Sequence, residues 1–502
     1  MKQPAVLVID IGTTLVKVGL FDFRCRLIDR ISSPHGKRGL GTSFDGDVCW
    51  QVVVRCSAQL SARNLSRQIV VVGITGFMHH VVAMDPKGKA LTLHAPDSIV
   101  RESFKQMLNE LGTETIYEIT GSRLDPTSVP PNLVALHKHC LNLDSKIATI
   151  LPIKDFIRYR LTNEIATDEI DACGTMLYAL HRRRWDPNLL SYCGLSDENM
   201  PPVLHCTTRG GVVTQAAAEA LQIPAGIPVS VGGGDDIEIL GSGAVGAGEI
   251  CEHVGSTGSF LLHTQTAAAD PKYRLELYPA IDSGKWVLGG SCSNVTRALD
   301  WFLMASVYSR GGTVDWNRVQ IDLSNALKQI DCDRPLFLPY LYGERVPVWN
   351  PDLKAGWQGL HVSHVPADLL LAVIEGVCFS LRAILDVYKD LGIPINLICS
   401  SGGLNDLGTT ELRASLYGHP VRQVRGTDPT SFAAAAIALA TLGELSDPKE
   451  AVAWLDLGPS VDPKPEWIAT LERGYRLFVE ATTEMLTEVI QTESTARPGL
   501  TP

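Results

Sequence analysis

Val6-Leu7-Val8-Ile9-Asp10-Ile11-Gly12-Thr13-Thr14-Leu15-Val16-Lys17-Val18-Gly19-Leu20-Phe21-Asp22 opens the chain as strand, turn and strand. Val6–Ile9 is continuously apolar and β-rich, as expected of a strand covered on both faces. Asp10-Ile11-Gly12-Thr13-Thr14 interrupts it and Leu15–Phe21 resumes, which predicts an antiparallel hairpin with polar residues at its tip. Backbone N–H groups at such a tip converge and can bind phosphate oxygens, with the Thr13 and Thr14 hydroxyls as further donors. Lys17 can add positive charge near those oxygens. Asp10, at a strand end, can hold Mg²⁺ through water, since magnesium gives up its hydration reluctantly. A tight β-turn with a capping aspartate explains the same residues without a ligand.

The pattern returns about half a chain later. Glu252-His253-Val254 runs into Gly255-Ser256-Thr257-Gly258, and Ser259-Phe260-Leu261-Leu262 follows. A glycine followed by two hydroxyl residues again separates two strand-like runs, which suggests two similar units. The expected halves are residues 1–246 and 247–491, with a flexible tail at 492–502. Further buried strands are expected at Ile69–Ile74, Pro228–Val231, Trp286–Leu288 and Leu397–Cys399. Helical spacing marks Val48–Arg67, Arg101–Leu111, Leu133–Leu143, Asp368–Tyr388 and Ser431–Leu442. Two α/β domains facing each other is the expected architecture.

Composition excludes several classes. The 502 residues are 45% apolar and 20% charged, ordinary for globular domains and too long for one core. A net charge of −11 without a basic tail argues against nucleic-acid binding. No uncharged run reaches the ~20 residues of a membrane span, and the start of the chain has no signal-peptide pattern, so a cytoplasmic protein is expected. Twelve cysteines without a C-x-x-C pair read as reduced, mostly buried thiols rather than zinc ligands.

Two glycine clusters remain candidates for chemistry. Gly232-Gly233-Gly234-Asp235 follows a strand; three glycines let a ligand approach the backbone, and the carboxylate can take a proton from an attacking hydroxyl. Gly402-Gly403-Leu404-Asn405 joins a strand to a helical stretch, where anionic groups are favoured. Each is also consistent with a plain turn. Gly241-Ser242-Gly243-Ala244-Val245-Gly246 matches G-x-G-x-x-G but lacks the preceding strand, so it is not read as a dinucleotide site. Gly36-Lys37, Gly88-Lys89 and Gly284-Lys285 lack the Ser/Thr of a P-loop. His79 and His80, neighbours expected to face opposite ways, are poorly placed to share a metal.

Together these segments resemble the FGGY family of carbohydrate kinases, built on two actin-like ATPase (ribonuclease H-like) domains around a central cleft. Asp10–Thr14 with Lys17 is similar to the family's first phosphate loop, and Gly255–Gly258 to its second. Ser401-Gly402-Gly403 through Gly418-His419-Pro420-Val421 resembles the adenosine segment. Ala355-x-Trp357-x-Gly359-Leu360, followed by Asp368-Leu369-x-x-Ala372-Val373-Ile374-Glu375, resembles the second-domain signature, and Phe337–Arg345 fits before it.

The resemblance implies ATP and Mg²⁺, the latter at Asp10. It implies nucleotide contacts from Gly12, Thr13, Thr14, Lys17, Gly255, Ser256, Thr257, Gly258, Gly402, Gly403 and Asn405, and Asp235 as catalytic base. Met78, His79 and Asp236 look like the sugar contacts of the xylulokinase branch, where Asn is common at the position of Asp236. That branch implies D-xylulose, or another pentulose, as acceptor. The family's Trp-x-Asp-x-Arg is replaced by Asp97 and Ile99, with Arg101 in register as a further sugar contact. Asn132, Ala135 and Thr409 also depart from the family pattern, and Gly343–Asn350 is closer to gluconokinases. A gluconokinase and a sugar-sensing regulator without turnover are the alternatives. The expected partners are the sugar and ATP, with no nucleic acid or membrane and with a homodimer possible.

Overall fold

The computed structural model describes residues 2–35, 45–140, 143, 146–267, 269–282, 284–330, 334–426 and 428–495, except the side chains of Gln329 and 490–495. Gly36-Lys37 lies outside the described residues. The first sheet contains β1 (Gln3–Ile11), β2 (Leu15–Phe21), β3 (Leu27–Pro34), β4 (Arg67–Gly76), β5 (Arg209–Val212), β6 (Pro228–Ser230) and β7 (Gly233–Gly234). The second contains β8 (Glu249–Val254), β9 (Gly258–Thr264), β10 (Glu276–Pro279), β11 (Trp286–Cys292), β12 (Leu397–Gly402), β13 (Val421–Arg425) and β14 (Asp456–Val461). The helices used below are α1 (Gly46–Arg63), α2 (Asp97–Leu111), α3 (Val129–His139), α4 (Ile153–Thr162), α5 (Glu169–Gly174), α6 (Glu238–Gly241), α7 (Thr296–Ala305), α8 (Pro366–Asp390), α9 (Thr410–Tyr417), α10 (Pro429–Leu442) and α11 (Pro465–Thr495).

The two sheets repeat one topology. The first runs β5-β6-β4-β1-β2-β3, with β7 also on β4; the second runs β10-β11-β9-β8-β12-β13-β14. In each, a hairpin (β1–β2, β8–β9) is extended on one side by an antiparallel strand. On the other side comes a parallel strand (β4 on β1, β12 on β8), then a second parallel one, then an antiparallel edge. The echo between Gly12-Thr13-Thr14 and Gly255-Ser256-Thr257 is therefore a repeat of the whole sheet, and the expected α/β architecture is the observed one.

Burial explains the opening apolar run. Ala5, Leu7 and Ile9 pack on one face of β1 with α1 and α4, while Val6 and Val8 join the core on the other. Both faces are covered, so no polar alternation appears. The cover on the second face is α10, whose residues Pro429–Leu439 are all buried. A helix buried all round needs no polar stripe, and its alanines let backbones approach closely. A Cβ on Gly73 in β4 would lie 2.5 Å from the Ala434 carbonyl oxygen, and one on Gly241 would overlap the Pro429 carbonyl. Gly241, the first glycine of the G-x-G-x-x-G decoy, is thus a packing glycine.

Two expectations are corrected. α11 continues through Thr495, so Thr492–Thr495 are helical, and only 496–502 of the expected tail fall outside the described residues. Cys399 is followed by three more residues of β12 and then a short 3-10 turn, Gly403–Leu407, before α9. All eleven described cysteines are free thiols. No described helix is long and apolar enough to cross a membrane.

Gly73→Ala is expected to lower unfolding stability by about 1–3 kcal/mol, the usual cost of overpacking a close backbone contact. A urea titration measures this, and an unshifted midpoint would show that α10 can retreat without cost.

Candidate active site

Three loops meet at the C-terminal ends of the central strands of the first sheet. Asp10 and Ile11 lie beside Thr75 and Gly76, and Gly233 and Gly234 pair with the same two residues from the other side. Thr75 donates from Oγ1 to the Gly233 carbonyl at 2.9 Å. The first hairpin tip, the segment Phe77-Met78-His79 and the Gly232–Asp235 loop therefore converge where the parallel strands end, as ligand sites in such sheets do. In the second sheet the same construction places Gly402 beside Val254 and Ser401 beside His253. The Gly255–Gly258 tip and the Gly402–Gly403 turn are thereby adjacent, and the N-terminus of α7 docks on the tip through Thr296 N–H to the Gly255 carbonyl at 2.9 Å.

Asp235 accepts the Met78 N–H at 3.1 Å on Oδ1. Burial, then the charge of Glu238 one helical turn on, raise its carboxyl to about 7; the Met78 N–H opposes this and Asp10 adds to it. Asp236 is pushed well above the usual carboxylate range by burial first, then by Asp235, Glu238 and Glu276, with Arg345 opposing. Asp236 Oδ2 is buried without a hydrogen-bond partner among the described residues.

His79 does not sit on a strand. β4 ends at Gly76, and His79 has φ +65°, a costly value for a residue with a side chain. Its Nδ1 lies 2.9 Å from the Gly174 carbonyl, and its ring meets the edge of Tyr278. His80 turns back toward the Met78 carbonyl and packs on Phe77. Burial lowers the His79 imidazole; Glu276 raises it and Arg345 lowers it, so these C-terminal-half groups face it. Ser122 donates to Glu276 at 2.9 Å.

One expected contact takes another place, and two more are engaged by partners of their own. Arg101 lies on the exposed side of α2, paired with Asp352 at 2.9 Å rather than with Met78, His79 and Asp236. Lys17 sits between Asp10 at 3.1 Å and Asp428 at 2.6 Å, so it neutralises carboxylates rather than standing free beside the tip. The Asn405 amide oxygen is held by Ser400 and Arg413, and Arg413 also pairs with Glu252. Thr13 and Thr14 remain exposed at the tip, Gly12 closes it by donating to the Leu15 carbonyl at 2.9 Å, and Ser256 and Thr257 are half-buried.

Burial acts most strongly on the Asp10 carboxyl and raises its pKa, with the charge of Asp428 adding to it; Lys17 and Ser431 oppose that. Burial also works against the Asp428 charge, but Lys17 outweighs it and holds that carboxyl at about 2. The Asp10 and Asp428 carboxylates offer the hard oxygen donors that Mg²⁺ prefers, and an ion held there would take the place of the partly exposed Lys17 ammonium that now joins them.

Beneath the Gly232–Asp235 loop lies a buried charge cluster. Lys154 Nζ contacts Asp155 at 2.9 Å, Asp168 at 2.7 Å and Asp171 at 3.2 Å, and donates to the Val231 carbonyl at 3.4 Å. Arg158 adds a contact to Asp155 at 3.3 Å. Three clustered carboxylates have the spacing of a metal site, but the Lys154 ammonium already stands among them. Burial disfavours its charge, and the three carboxylates more than compensate, holding its pKa above the ordinary lysine value. A Cβ on Gly234 would lie 2.6 Å from Met78 Cγ and 3.1 Å from Asp171 Oδ1, so the loop rests directly on this cluster.

Sequence reading alone passed over Glu238, Asp428, Glu276, Tyr278 and the Lys154 cluster, and saw Arg345 only as part of a motif. Asp428-Pro429 is a visible helix-start signal, and Glu238 follows Asp235 at helical spacing. Glu276 and Tyr278 reach the site only through the packing of the halves.

Two sheets of one topology, each with a glycine hairpin, and a buried aspartate after a glycine run are the frame in which the chain compares with known proteins. The models of the FGGY family of carbohydrate kinases match here, the N-terminal domain over residues 5–240 and the C-terminal domain over 253–442, and the chain belongs to this family. It is 28% identical over 436 residues to the xylulose kinase of Escherichia coli (strain K12), covering 84% of this chain and 86% of that protein. It is 27% identical over 412 residues to the gluconokinase of Bacillus subtilis (strain 168), covering 79% of each. A gluconate kinase structure from Lactobacillus acidophilus superposes with a TM-score of 0.86 at 21% identity, covering 96% of this chain and 98% of that one. A ligand-bound xylulose kinase from the same organism gives 0.85 at 22% identity, with the same coverage.

Lys154→Met leaves the buried carboxylates short of a counter-charge. An expected loss of about 3–5 kcal/mol, read by denaturant unfolding, checks the cluster; unchanged stability would mean that the carboxylates are already neutral.

Proposed function

We propose that this kinase transfers the γ-phosphate of ATP to a hydroxyl of a pentulose, D-xylulose first, with Asp235 as the general base. The observation that carries the reading is the position of Asp235 between the first hairpin tip and the Met78–His79–Asp236 group, with a carboxyl poised near neutrality. A base with a pKa near the working pH is the effective one. The acceptor hydroxyl attacks phosphorus, its proton passes to Asp235, the new O–P bond forms and the bond to the ADP oxygen breaks. Charge stabilisation and positioning supply most of the rate in such transfers. The backbone N–H groups at Thr13–Thr14 and Ser256–Thr257 serve that role, and Gly402–Gly403 gives the base of the nucleotide a bare backbone to lie against. Asp10 and Asp428 would hold Mg²⁺, which screens phosphate charge when bound.

The sugar would meet Met78, His79 and Asp236. The orphaned Asp236 Oδ2 and the environment that favours its protonated form give it one O–H donor and one acceptor, the pattern an asparagine offers. That accounts for an aspartate where the xylulokinase branch commonly has Asn.

A second reading, gluconate as acceptor, draws on the Arg345 guanidinium. It faces Glu276 and Asp125 across the same group and could receive a sugar acid's carboxylate. ADP release with Mg²⁺-ATP against D-xylulose, D- and L-ribulose, erythritol, glycerol and gluconate separates the readings. Turnover on gluconate alone would replace the pentulose reading, and silence with nucleotide still bound would favour a sugar-sensing role.

Three outcomes are expected of the preferred sugar. Asp235→Asn retains sugar binding and loses at least ~10²-fold in turnover; near-normal turnover removes Asp235 from the mechanism. Because a protonated Asp235 cannot accept the hydroxyl proton, kcat rises with pH through about 7, and a profile flat from pH 5 to 8 contradicts this. Asp236→Asn stays within roughly threefold of the parent in sugar KM, as a pair of hydrogen-bonding equivalents should; a tenfold rise would show that the ionised carboxylate is required.

A further inference from the structure

Glu238 begins α6 directly after the turn that carries Asp235, and its side chain crosses to the second sheet. Ser259 donates from Oγ to Glu238 Oε1 at 2.8 Å, and His253 Nδ1 lies 3.4 Å from Glu238 Oε2. His253 and Ser259 face each other across the β8–β9 hairpin whose tip is Gly255–Gly258. The other side of the imidazole lies against that tip, where a Cβ on Gly255 would meet His253 Nε2 at 2.6 Å. Ser401, beside the Gly402–Gly403 turn, holds His253 Nδ1 at 3.1 Å. Glu238 and Ser259 are both buried, so this link is shielded from water, where a hydrogen bond to a carboxylate is strong.

We propose that Glu238 is a positioning residue for Asp235, locked through Ser259 and His253 onto the hairpin that carries the second glycine turn, so that the base and that turn keep one geometry across the cleft. This rests on the reading of Asp235 as base. The coupling is physical: a displacement of the turn moves His253 and Ser259, and through Glu238 the short 3-10 turn, Asp235–Ile237, that begins with Asp235. The same carboxylate also adds to the negative field at Asp235. The charged groups facing Asp235 are Glu238, Asp10 and the neighbouring Asp236; those facing Glu238 are His253, Asp236 and the Cys251 thiol beneath it. Of these, only the Glu238 side chain bridges the base to the second hairpin.

The experiment compares the full chain with its Glu238→Gln, Ser259→Ala and doubly substituted forms in Mg²⁺-ATP, on whichever acceptor the panel above identifies. Both single changes are small in volume, and melting temperatures establish that each variant is folded. The expected result for Glu238→Gln is a fall in kcat of about tenfold or more, with acceptor KM within threefold. The acid limb of the kcat profile moves to lower pH, because one negative neighbour of Asp235 is gone. Ser259→Ala lowers kcat in the same sense, and the double variant is no worse than Glu238→Gln alone, the signature of residues acting as one unit. Unchanged kcat with an unmoved acid limb, or fully additive losses, overturns the proposal. If Glu238→Gln does not fold, Ser259→Ala decides by the same two readouts. Asp235→Asn run in parallel separates the failures. If it abolishes turnover while the Glu238 and Ser259 variants do nothing, this inference alone falls; if it leaves turnover intact, the reading of Asp235 falls first.

Discussion

The closeness of α10 to the first sheet sets the geometry on which the site depends. Gly73 and Gly241 carry no side chain where the Ala434 and Pro429 carbonyls pass, and the helix carries a run of four alanines, Ala433–Ala436. Backbones at this separation gain dispersion contacts along their length and leave no room for rearrangement short of sliding. The helix follows the last parallel strand of the second sheet yet packs on the first. Its N-cap, Asp428, is thereby delivered to Lys17 and Asp10 at the first hairpin tip. One close-packed helix thus places a carboxylate from one half at the glycine hairpin tip of the other.

Charge is handled differently on the two sides of the Gly232–Asp235 loop. Below it, Lys154 and Arg158 compensate Asp155, Asp168 and Asp171 in a fully buried cluster. Such clusters contribute little net stability, because desolvation offsets the attraction, but breaking one is costly. Their value here is rigidity under a loop that has three glycines and no stiffness of its own. Above the loop, Asp235, Asp236 and Glu238 crowd together with few counter-charges, and burial with mutual repulsion raises the first two. Burying poorly compensated carboxyl groups costs stability there, and the compensated cluster beneath holds the arrangement in place.

Local pattern carried much of this into the sequence. Strand, glycine and hydroxyl residues at Val6–Thr14 and Glu252–Thr257 announced the duplication, since a hairpin tip is decided by a few adjacent residues. Gly233-Gly234-Asp235 was legible for the same reason. Arg101 was misplaced because register along a motif says nothing about where a helix face points once packed, and α2 turns that residue outward to Asp352. The motif places Lys17 near the tip but does not show its partner Asp428, which is more than 400 residues away in the chain.

The sequence by itself determined the duplicated α/β fold, the two glycine-hydroxyl turns and the aspartate that follows the three glycines, because each is written in a short run of neighbouring residues. Tertiary structure alone decided which charges meet: Lys17 with Asp428, Arg345 with Glu276, Glu238 with Ser259 and His253. Electrostatic interaction depends on distance through space and on the water excluded between groups, and neither is a property of position along the chain.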